Sequence, residues 1–248
     1  MPASVPFFSI IVVCRNPGLH LQAALDTVWG QQEANYELVV IDGASTDGSR
    51  EWLEARQEQI TALIAEPDHG IYDAMNKGIT AARGTWVYFL GADDRLASNN
   101  VLACATEALV RTDAGVVVGE ATYDDTRVYR LAHPPGVVRR NFVHHQAAFY
   151  RRSLLTAEAG FDLGLQIMAD YDFNLRLWKK GVRFESVQLL VARCASGGLS
   201  DAGNWFGYRE EITVRHRYFP AWHCWFWDLG SVFRYLRKNI VRHSRPHG

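Results

Sequence analysis

Cysteine is scarce in this sequence, and its four residues are widely separated. The positions Cys14, Cys104, Cys194 and Cys224 include no pair at the short spacing that metal ligands require. They also give no sign of a disulfide framework, which needs a denser set of cysteines. The pattern therefore argues against a cysteine metal site and against a disulfide-stapled domain, and it fits a reducing, cytoplasmic location.

Net charge and long apolar runs are also lacking. The 26 Lys and Arg residues are balanced by 27 Asp and Glu, which leaves a formal charge of −1 and argues against nucleic acid as the main partner. The opening stretch MPASVPFFSIIVVCRN has no basic segment before its apolar run, and this run is too short to span a bilayer. We interpret it as a first strand.

Apolar residues, by contrast, are plentiful at 48% of 248 residues, enough for one large α/β domain with an appendage. Runs rich in β-branched residues alternate with segments of helical pattern. Strands are predicted at 7–13, 36–42, 60–66, 85–90 and 115–120, and helices at about 18–30, 70–84, 98–111 and 168–181. This alternation predicts a mostly parallel central sheet flanked by helices. After about residue 121 the pattern is mixed, with strands predicted at 126–132 and 145–150.

Carboxylates follow three of the predicted strands. Asp42 closes the second strand, Glu66 closes the third, and the adjacent pair Asp93 and Asp94 follows the fourth after Gly91. Ligands of parallel sheets bind beyond the carboxyl ends of the strands, so these acids are expected to converge on one edge. Such an edge suits a hard divalent cation that also binds phosphate. From spacing alone, a helix-capping Asp pair in a surface loop remains an open alternative.

Four segments carry a resemblance to a known family, namely VVIDGASTDGS, EPDHGIYDAMNKGI, GTWVYFLGADD and ADYDFNLRLWKKG. In order and spacing they resemble family 2 glycosyltransferases with the GT-A fold, in particular bacterial enzymes of colanic acid and exopolysaccharide biosynthesis. The resemblance covers about residues 7 to 200. It implies a Rossmann-like GT-A domain over 1–203. Residues 204–248 carry no motif of the family, and from their aromatic and basic pattern they are expected to form a helical C-terminal extension. The resemblance also implies inverting transfer of a sugar from a nucleoside-diphosphate sugar to a hydroxyl of a glycan or lipid-linked acceptor, in surface polysaccharide biosynthesis.

The resemblance further implies which residues hold the donor nucleotide. The expected set is Val13, Cys14, Arg15, Asp42, Glu66, Asp68, Asn76, Lys77 and Asp93. The segment 70–78 is similar to a nucleotide-facing helix of the family, in which Asn76 and Lys77 are expected to touch phosphate. Two alternatives stay open: Asp42 bonded only to backbone N–H groups of its loop, and Lys77 as a solvated helix residue.

The two-acid segment resembles the family's D-x-D region, although Gly91 stands where the first acid is expected. Asp93 and Asp94 are then expected to share the ribose contact and a divalent metal, Mg²⁺ or Mn²⁺. Such a metal would neutralise the leaving diphosphate.

Asp170 falls at the position of the family's catalytic base, which takes the proton of the acceptor hydroxyl. Many relatives have Glu-Asp here, whereas this chain has Ala169 before Asp170. Asp172 is a rival base that should point elsewhere, because residues two apart on a helix do not share a face. A carboxylate that only caps the helix is the plain alternative for Asp170.

The segment HHQAAFY also resembles the family, which implies that His145 and Gln146 line the acceptor pocket or contact diphosphate; a core histidine is the alternative for His145. The loop SGGLSD at 196–201 resembles a family loop that closes over the donor, where glycine gives a hinge.

The tail differs in composition from the rest of the chain. From Trp205 onward it has eight Lys and Arg against three acids, and four of the eight tryptophans. Interleaved aromatic and basic residues indicate helices that lie on an anionic membrane surface, at the inner face of the plasma membrane, or that form a homo-oligomer. A helix packed on the domain is the alternative.

Two other function classes remain open at this point. A sugar nucleotidyltransferase would be expected to have a glycine-rich loop with Lys or Arg after the first strand, where only Arg15 occurs. A non-catalytic subunit that binds nucleotide sugar or glycan is compatible with the missing acids at Gly91 and Ala169.

Overall fold

The computed structural model describes residues 5–33, 35–123, 127–132, 136–195 and 205–243. The strands are β1 (Phe8–Cys14), β2 (Tyr36–Asp42), β3 (Ala62–Ala65), β4 (Trp86–Gly91), β5 (Arg95–Leu96), β6 (Val116–Tyr123), β7 (Arg127–Tyr129), β8 (Ala148–Arg151) and β9 (Phe184–Cys194). The helices are α1 (His20–Trp29), α2 (Ser49–Glu54), α3 (Ile71–Ala81), α4 (Val101–Leu109), α5 (Gly136–Arg139), α6 (Arg152–Ala157), α7 (Ala169–Lys179), α8 (Trp205–Tyr218) and α9 (Ala221–His243).

Four strands form a parallel block in the order β3-β2-β1-β4. In this block Cys14 of β1 lies opposite Asp42 of β2, and Val13 lies opposite Gly91 of β4. The carboxyl ends of these strands therefore meet at one edge, as the strand-and-helix alternation predicts. The continuous apolar run of β1 is explained by burial on both faces of the sheet.

The second half of the sheet continues as β8-β6-β9-β5, with β7 paired to β6. Strand β8 runs antiparallel to β4 and β6, whereas β6 and β9 are parallel. The strand predicted at 145–150 begins only at Ala148, because His145–Ala147 form a 3-10 turn. This turn places the side chains of residues 145 and 146 at the rim of the sheet, not within a strand.

The core lies on both sides of the sheet. Ile10 of β1 belongs to the layer covered by α1 and α4, and its neighbour Ile11 belongs to the layer covered by α3 and α7. Helix α3 packs so closely on β1 that a Cβ at Gly78 would lie 2.4 Å from the Ile11 side chain. The N-terminus of α3 is thereby fixed beside the carboxyl edge of the sheet.

Helices α8 and α9 form the C-terminal region, as predicted. They contact each other, α8 also packs on α7, and α9 packs on α5. Arg215 of α8 is fully buried and donates hydrogen bonds to the carbonyls of Val138 and Arg139 and to Glu211. Within the described residues, no helix has the length and apolarity needed to cross a membrane.

Candidate active site

A cavity of about 1170 Å³ opens at the carboxyl edge of the sheet. Its walls come from the ends of β1 and β4, the start of α3, the turn before β8 and the start of α7. Among the residues that line it are Cys14, Arg15, Asp93, Asp94, His145 and Asp170. Groups far apart in the sequence are therefore brought to a single concave site, which is the usual form of a ligand pocket.

The end of β1 supplies one wall of the cavity, where Val13, Cys14 and Arg15 all line it. Burial raises the pKa of the Cys14 thiol, and the adjacent Asp42 carboxylate raises it further. Cys14 is thus held as a neutral thiol, which donates to Asp42 over 3.6 Å. It is suited to contact with a ligand and not to nucleophilic attack.

Asp42 lies behind this wall. Its carboxylate is fully buried and accepts hydrogen bonds from the Cys14 thiol and from the Ser45 backbone N–H at 3.0 Å. In the described structure it does not line the cavity. The expected contact with the base stays a prediction, and the present geometry gives Asp42 the role of holding Cys14 and the loop after β2.

Asp68 lies against the same loop. It caps its own turn by accepting the Gly70 N–H at 2.9 Å. A Cβ at Gly43 would lie 2.0 Å from its carboxylate, so only glycine permits this approach. Asp68 therefore lies against the loop after β2, outside the set of residues that line the described cavity, and its contact with the nucleotide stays a prediction.

Glu66, Asn76 and Lys77, which are expected to contact the nucleotide, lie outside the lining of the described cavity. Lys77 binds Glu66 at 2.9 Å and the Pro67 carbonyl at 2.7 Å, outside the cavity. The Asn76 amide is bonded on both sides to Phe161, to its carbonyl at 2.9 Å and its N–H at 2.8 Å. In the structure the Asn76 side chain thus fixes the turn before α7, and the expected contact with phosphate stays a prediction.

The two adjacent carboxylates behave differently. Asp93 is exposed, whereas Asp94 is 2% exposed and accepts hydrogen bonds from the Ala195 N–H at 2.9 Å and the Gln146 amide at 3.1 Å. Burial raises the pKa of the Asp94 carboxyl, and the charge of Asp93 acts in the same direction. A cation bound between them would relieve this repulsion.

Steric crowding explains why position 91 has no side chain in this chain. A Cβ there would lie 2.4 Å from a carboxylate oxygen of Asp94 and 3.2 Å from one of Asp93. The side chain of Asp94 therefore fills the space that a first acid would need. Both carboxylates converge on this one small volume.

Asp170 is a buried carboxylate at the second position of α7. One oxygen accepts the Tyr72 hydroxyl at 3.2 Å and the Tyr171 N–H at 2.8 Å. The other accepts the Asn141 amide at 2.7 Å and lies 3.4 Å from His145 Nδ1. Donors from α3, α7 and the segment before β8 thus hold it in one orientation at the cavity wall.

Asp172, the rival base, points away from the cavity, as expected for a residue two steps along the helix. It accepts hydrogen bonds from Arg217 at 2.9 Å and from the Tyr218 hydroxyl at 3.1 Å, both in α8. Its role is to join α7 to the C-terminal region.

Two consecutive residues connect the acidic pair to the buried carboxylate. Gln146 donates to Asp94, and His145 faces Asp170. The Gln146 amide oxygen is buried and finds no hydrogen-bond partner in the described part of the chain. The side chains predicted to lie at the acceptor pocket therefore do line the cavity.

Sequence reasoning missed Tyr72 and Asn141 as partners of Asp170. Tyr72 lies within the segment EPDHGIYDAMNKGI that carries the resemblance, and this was the one signal available for it. Asn141 lies in an irregular segment with no pattern that would single it out. The loop 196–201 lies outside the described residues.

The acids of the site can be tested for their fit to a divalent metal. Among the described residues, no group of three or more His, Cys, Asp or Glu side chains is arranged as a complete ligand set. Asp93 and Asp94 supply two carboxylates beside the unpartnered oxygen of Gln146. Mg²⁺ and Mn²⁺ at nucleotide sites are held by one or two carboxylates together with substrate phosphates and water. The residues present fit a cation that binds together with its phosphate ligand.

Comparison with known proteins decides the family. The model of glycosyl transferase family 2 matches residues 9–168, which is more than half of the chain. The chain belongs to glycosyl transferase family 2. The predicted family is thereby confirmed, and the segments that carried the resemblance before α7 lie within the matched range.

The chain is similar to a "PGL/p-HBAD biosynthesis glycosyltransferase" of Mycobacterium tuberculosis, 34% identical over 70% of this chain and 70% of its own length. The glycosyltransferase EpsJ of Bacillus subtilis is 26% identical over 98% of this chain and 77% of its own length.

Two solved structures confirm the predicted GT-A fold. Staphylococcus aureus TarS in complex with UDP-GlcNAc superimposes with a TM-score of 0.70 at 17% identity, over 84% of this chain and 64% of the TarS chain. The mannosyltransferase PcManGT of Pyrobaculum calidifontis, in complex with GDP-Man and Mn²⁺, gives a TM-score of 0.66 at 21% identity, over 99% of this chain and 78% of its own.

Proposed function

We propose that this family 2 member is an inverting, metal-dependent glycosyltransferase. It transfers a sugar from a nucleoside-diphosphate sugar to a hydroxyl of a glycan or lipid-linked acceptor in the assembly of a bacterial surface polysaccharide. The observation that carries the proposal is the pair of consecutive residues that joins the two acidic centres. Because Gln146 contacts Asp94 and His145 contacts Asp170, the diphosphate end and the base end of the reaction fit in one cavity.

In the proposed reaction the acceptor oxygen attacks the anomeric carbon of the donor. The bond from that carbon to the diphosphate oxygen breaks, and the nucleoside diphosphate leaves from the opposite face. Asp170 takes the proton of the acceptor hydroxyl, as a single displacement requires. Hydrogen bonds from Tyr72 and Asn141 fix the orientation of its carboxylate before the acceptor arrives.

The donor is proposed to enter with its base and ribose against Val13, Cys14 and Arg15, with Asp42 supporting them from behind. Asp93 and Asp94 would hold Mg²⁺ or Mn²⁺, with the Gln146 amide oxygen near by. Such a metal neutralises the charge that develops on the leaving diphosphate. Support comes from the nucleotide sugar and Mn²⁺ named for the related mannosyltransferase structure.

A thermal-shift screen followed by a product assay tests this function. The full chain is mixed with UDP-, GDP-, dTDP- and CMP-sugars, each with Mn²⁺ and with EDTA. One nucleotide class is expected to raise the melting temperature only with Mn²⁺, because a ligand that binds the native state alone stabilises it. The same donor should then release nucleoside diphosphate slowly in the presence of Mn²⁺.

Each alternative function has its own outcome in this assay. A metal-dependent shift without any nucleoside diphosphate, with or without glycan acceptors, would identify a non-catalytic binding subunit. Formation of a nucleotide sugar from a nucleoside triphosphate and a sugar phosphate would identify a nucleotidyltransferase.

A further inference from the structure

Helix α9 carries an apolar stripe that faces solvent. The stripe consists of six side chains between 51% and 75% exposed, namely Trp222, Phe226, Leu229, Phe233, Leu236 and Ile240. Their spacing alternates between four and three residues, which places them on one face of a helix. The opposite face, with the fully buried Cys224 and Ser231, already packs on the protein. The side chains of the stripe therefore take no part in the hydrophobic core, and an exposed apolar patch of this kind marks an interaction site.

A shallow groove of about 400 Å³ lies within this stripe, between α9 and α5. Phe226, Leu229 and Phe233 form its apolar wall, and Arg139 lies at its edge beside Arg234, which is already bonded to Glu211. An apolar wall beside the Arg139 cation matches the two halves of an anionic lipid, which has a hydrocarbon chain below a phosphate.

The charges of α9 favour an anionic membrane over a second copy of this chain as the partner of the stripe. Its one acid, Asp228, is occupied by Arg215 and by His216, which lies at 2.7 Å. Arg237 is exposed next to the stripe. Self-pairing of two such helices would bring their cations together with no acid of α9 to pair with them. An anionic bilayer surface supplies the missing negative charge, at about 1 kcal/mol for each basic residue near the surface.

The distribution of tryptophan and basic residues along α9 also favours a membrane surface as the partner. Tryptophans at 222, 225 and 227 occupy the first two turns, and tryptophan is enriched where membrane and water meet. The second half carries the basic residues Arg234, Arg237 and Lys238. This is the pattern of a helix that lies in the plane of the interface.

We propose that the α9 stripe is a docking surface for a membrane that contains anionic phospholipid. The helix is positioned to bring the active-site cavity close to that surface. Glu211 lines the cavity and accepts hydrogen bonds from Ser231 at 2.7 Å and from Arg234, both of α9. This part of the inference rests on the proposed function: the saccharide of a lipid-linked acceptor would enter the cavity while its lipid stays in the same membrane.

Vesicle flotation of the full chain tests the proposal without reference to transfer activity. The protein is expected to float with phosphatidylcholine vesicles that contain phosphatidylglycerol, to bind pure phosphatidylcholine less, and to be released by high salt. The double variant Leu229→Glu/Phe233→Glu should reduce partitioning at least about ten-fold, since burial of one such side chain alone corresponds to roughly that factor. Arg237→Glu should weaken binding to the anionic vesicles only.

The control variant is Val110→Glu/Leu163→Glu, which changes two side chains of similar exposure, 62% and 55%, outside α9. It should float like the parent protein, and circular dichroism should show that all variants are folded. Equal flotation of Leu229→Glu/Phe233→Glu and the parent protein would overturn the proposal. So would a dimer in light scattering that this variant converts to a monomer while the parent protein fails to float, because the stripe would then be an interface between copies.

Discussion

At the scale of single residues, the site depends on carboxylates held by donors that are distant in the sequence. The resemblance predicts Asp170 as the base, and this role stays a prediction, whereas its place in the first turn of α7 agrees with the helix predicted at 168–181. Its partners Tyr72 and Asn141 could not be predicted, since hydrogen bonds between segments 29 or 98 residues apart leave no local pattern. The buried position of Asp42 was likewise invisible, because a sequence does not tell which side of a strand end a loop covers.

Gly91 is the clearest case in which the structure explains a departure from the family pattern. The carboxylate of Asp94 occupies the volume of the missing side chain, so an alanine there must displace it. We expect Gly91→Ala to lose about 1–3 kcal/mol of the free energy of unfolding, which is typical of overpacking. It should also weaken the Mn²⁺-dependent donor shift, because Asp94 would leave its position between Ala195 and Gln146.

Urea denaturation and thermal shift measure these two effects. The control is Gly207→Ala in α8, where a Cβ would meet Ile167 at an ordinary 3.5 Å and helix propensity favours alanine. Parent-like stability and donor response in Gly91→Ala would mean that Asp94 does not depend on the space at position 91.

At the scale of elements, the alternation of strands and helices predicted the parallel block, while the antiparallel pairing of β8 required the three-dimensional structure. The sequence predicted that α8 is helical, but it did not predict the contacts of α8 with the segment before α7. Glu210 of α8 is buried and accepts the backbone N–H groups of Gln166, Ile167 and Met168 at 2.8, 2.8 and 3.0 Å. These residues lead directly into α7, so α8 helps to hold the segment before Asp170.

Glu210→Ala would leave three backbone N–H groups without their acceptor. We expect a loss of about 2–4 kcal/mol in the free energy of unfolding, since each unsatisfied buried donor costs about 1–3 kcal/mol and water can reach some of them. Transfer should also slow, because the start of α7 would no longer be fixed.

Equilibrium denaturation checks the size of the effect. Glu210→Gln keeps an amide oxygen and should fall between the parent protein and the alanine variant. Thr213→Ala, on the exposed side of α8, should change stability by less than about 0.5 kcal/mol. An alanine variant at 210 with parent-like stability would show that the three contacts are not what holds this segment.

Across the whole molecule, the C-terminal helices are joined to the rest of the described chain by buried polar contacts. Arg215 links α8 to α9 and to the carbonyls of Val138 and Arg139, just before Asn141 reaches Asp170. Composition predicted an aromatic and basic extension, but it could not predict that Arg215 of this extension binds the backbone of the segment before Asn141. The division of the chain at about residue 203 therefore remains a prediction from sequence.

Asp170 is proposed to take the acceptor proton in the cavity where Asp93 and Asp94 would hold a divalent cation on the donor diphosphate. The most direct measurement compares transfer rate and donor affinity for the parent protein, Asp170→Asn and the matched control Asp172→Asn, with the donor found by the Mn²⁺ screen. Asp170→Asn should keep the donor affinity and lower the transfer rate about 10²–10⁴-fold, as expected when a general base is removed. Asp172→Asn should lower stability through Arg217 and Tyr218 while the folded protein keeps its transfer rate. Transfer by Asp170→Asn at the parent rate would show that Asp170 is not the general base.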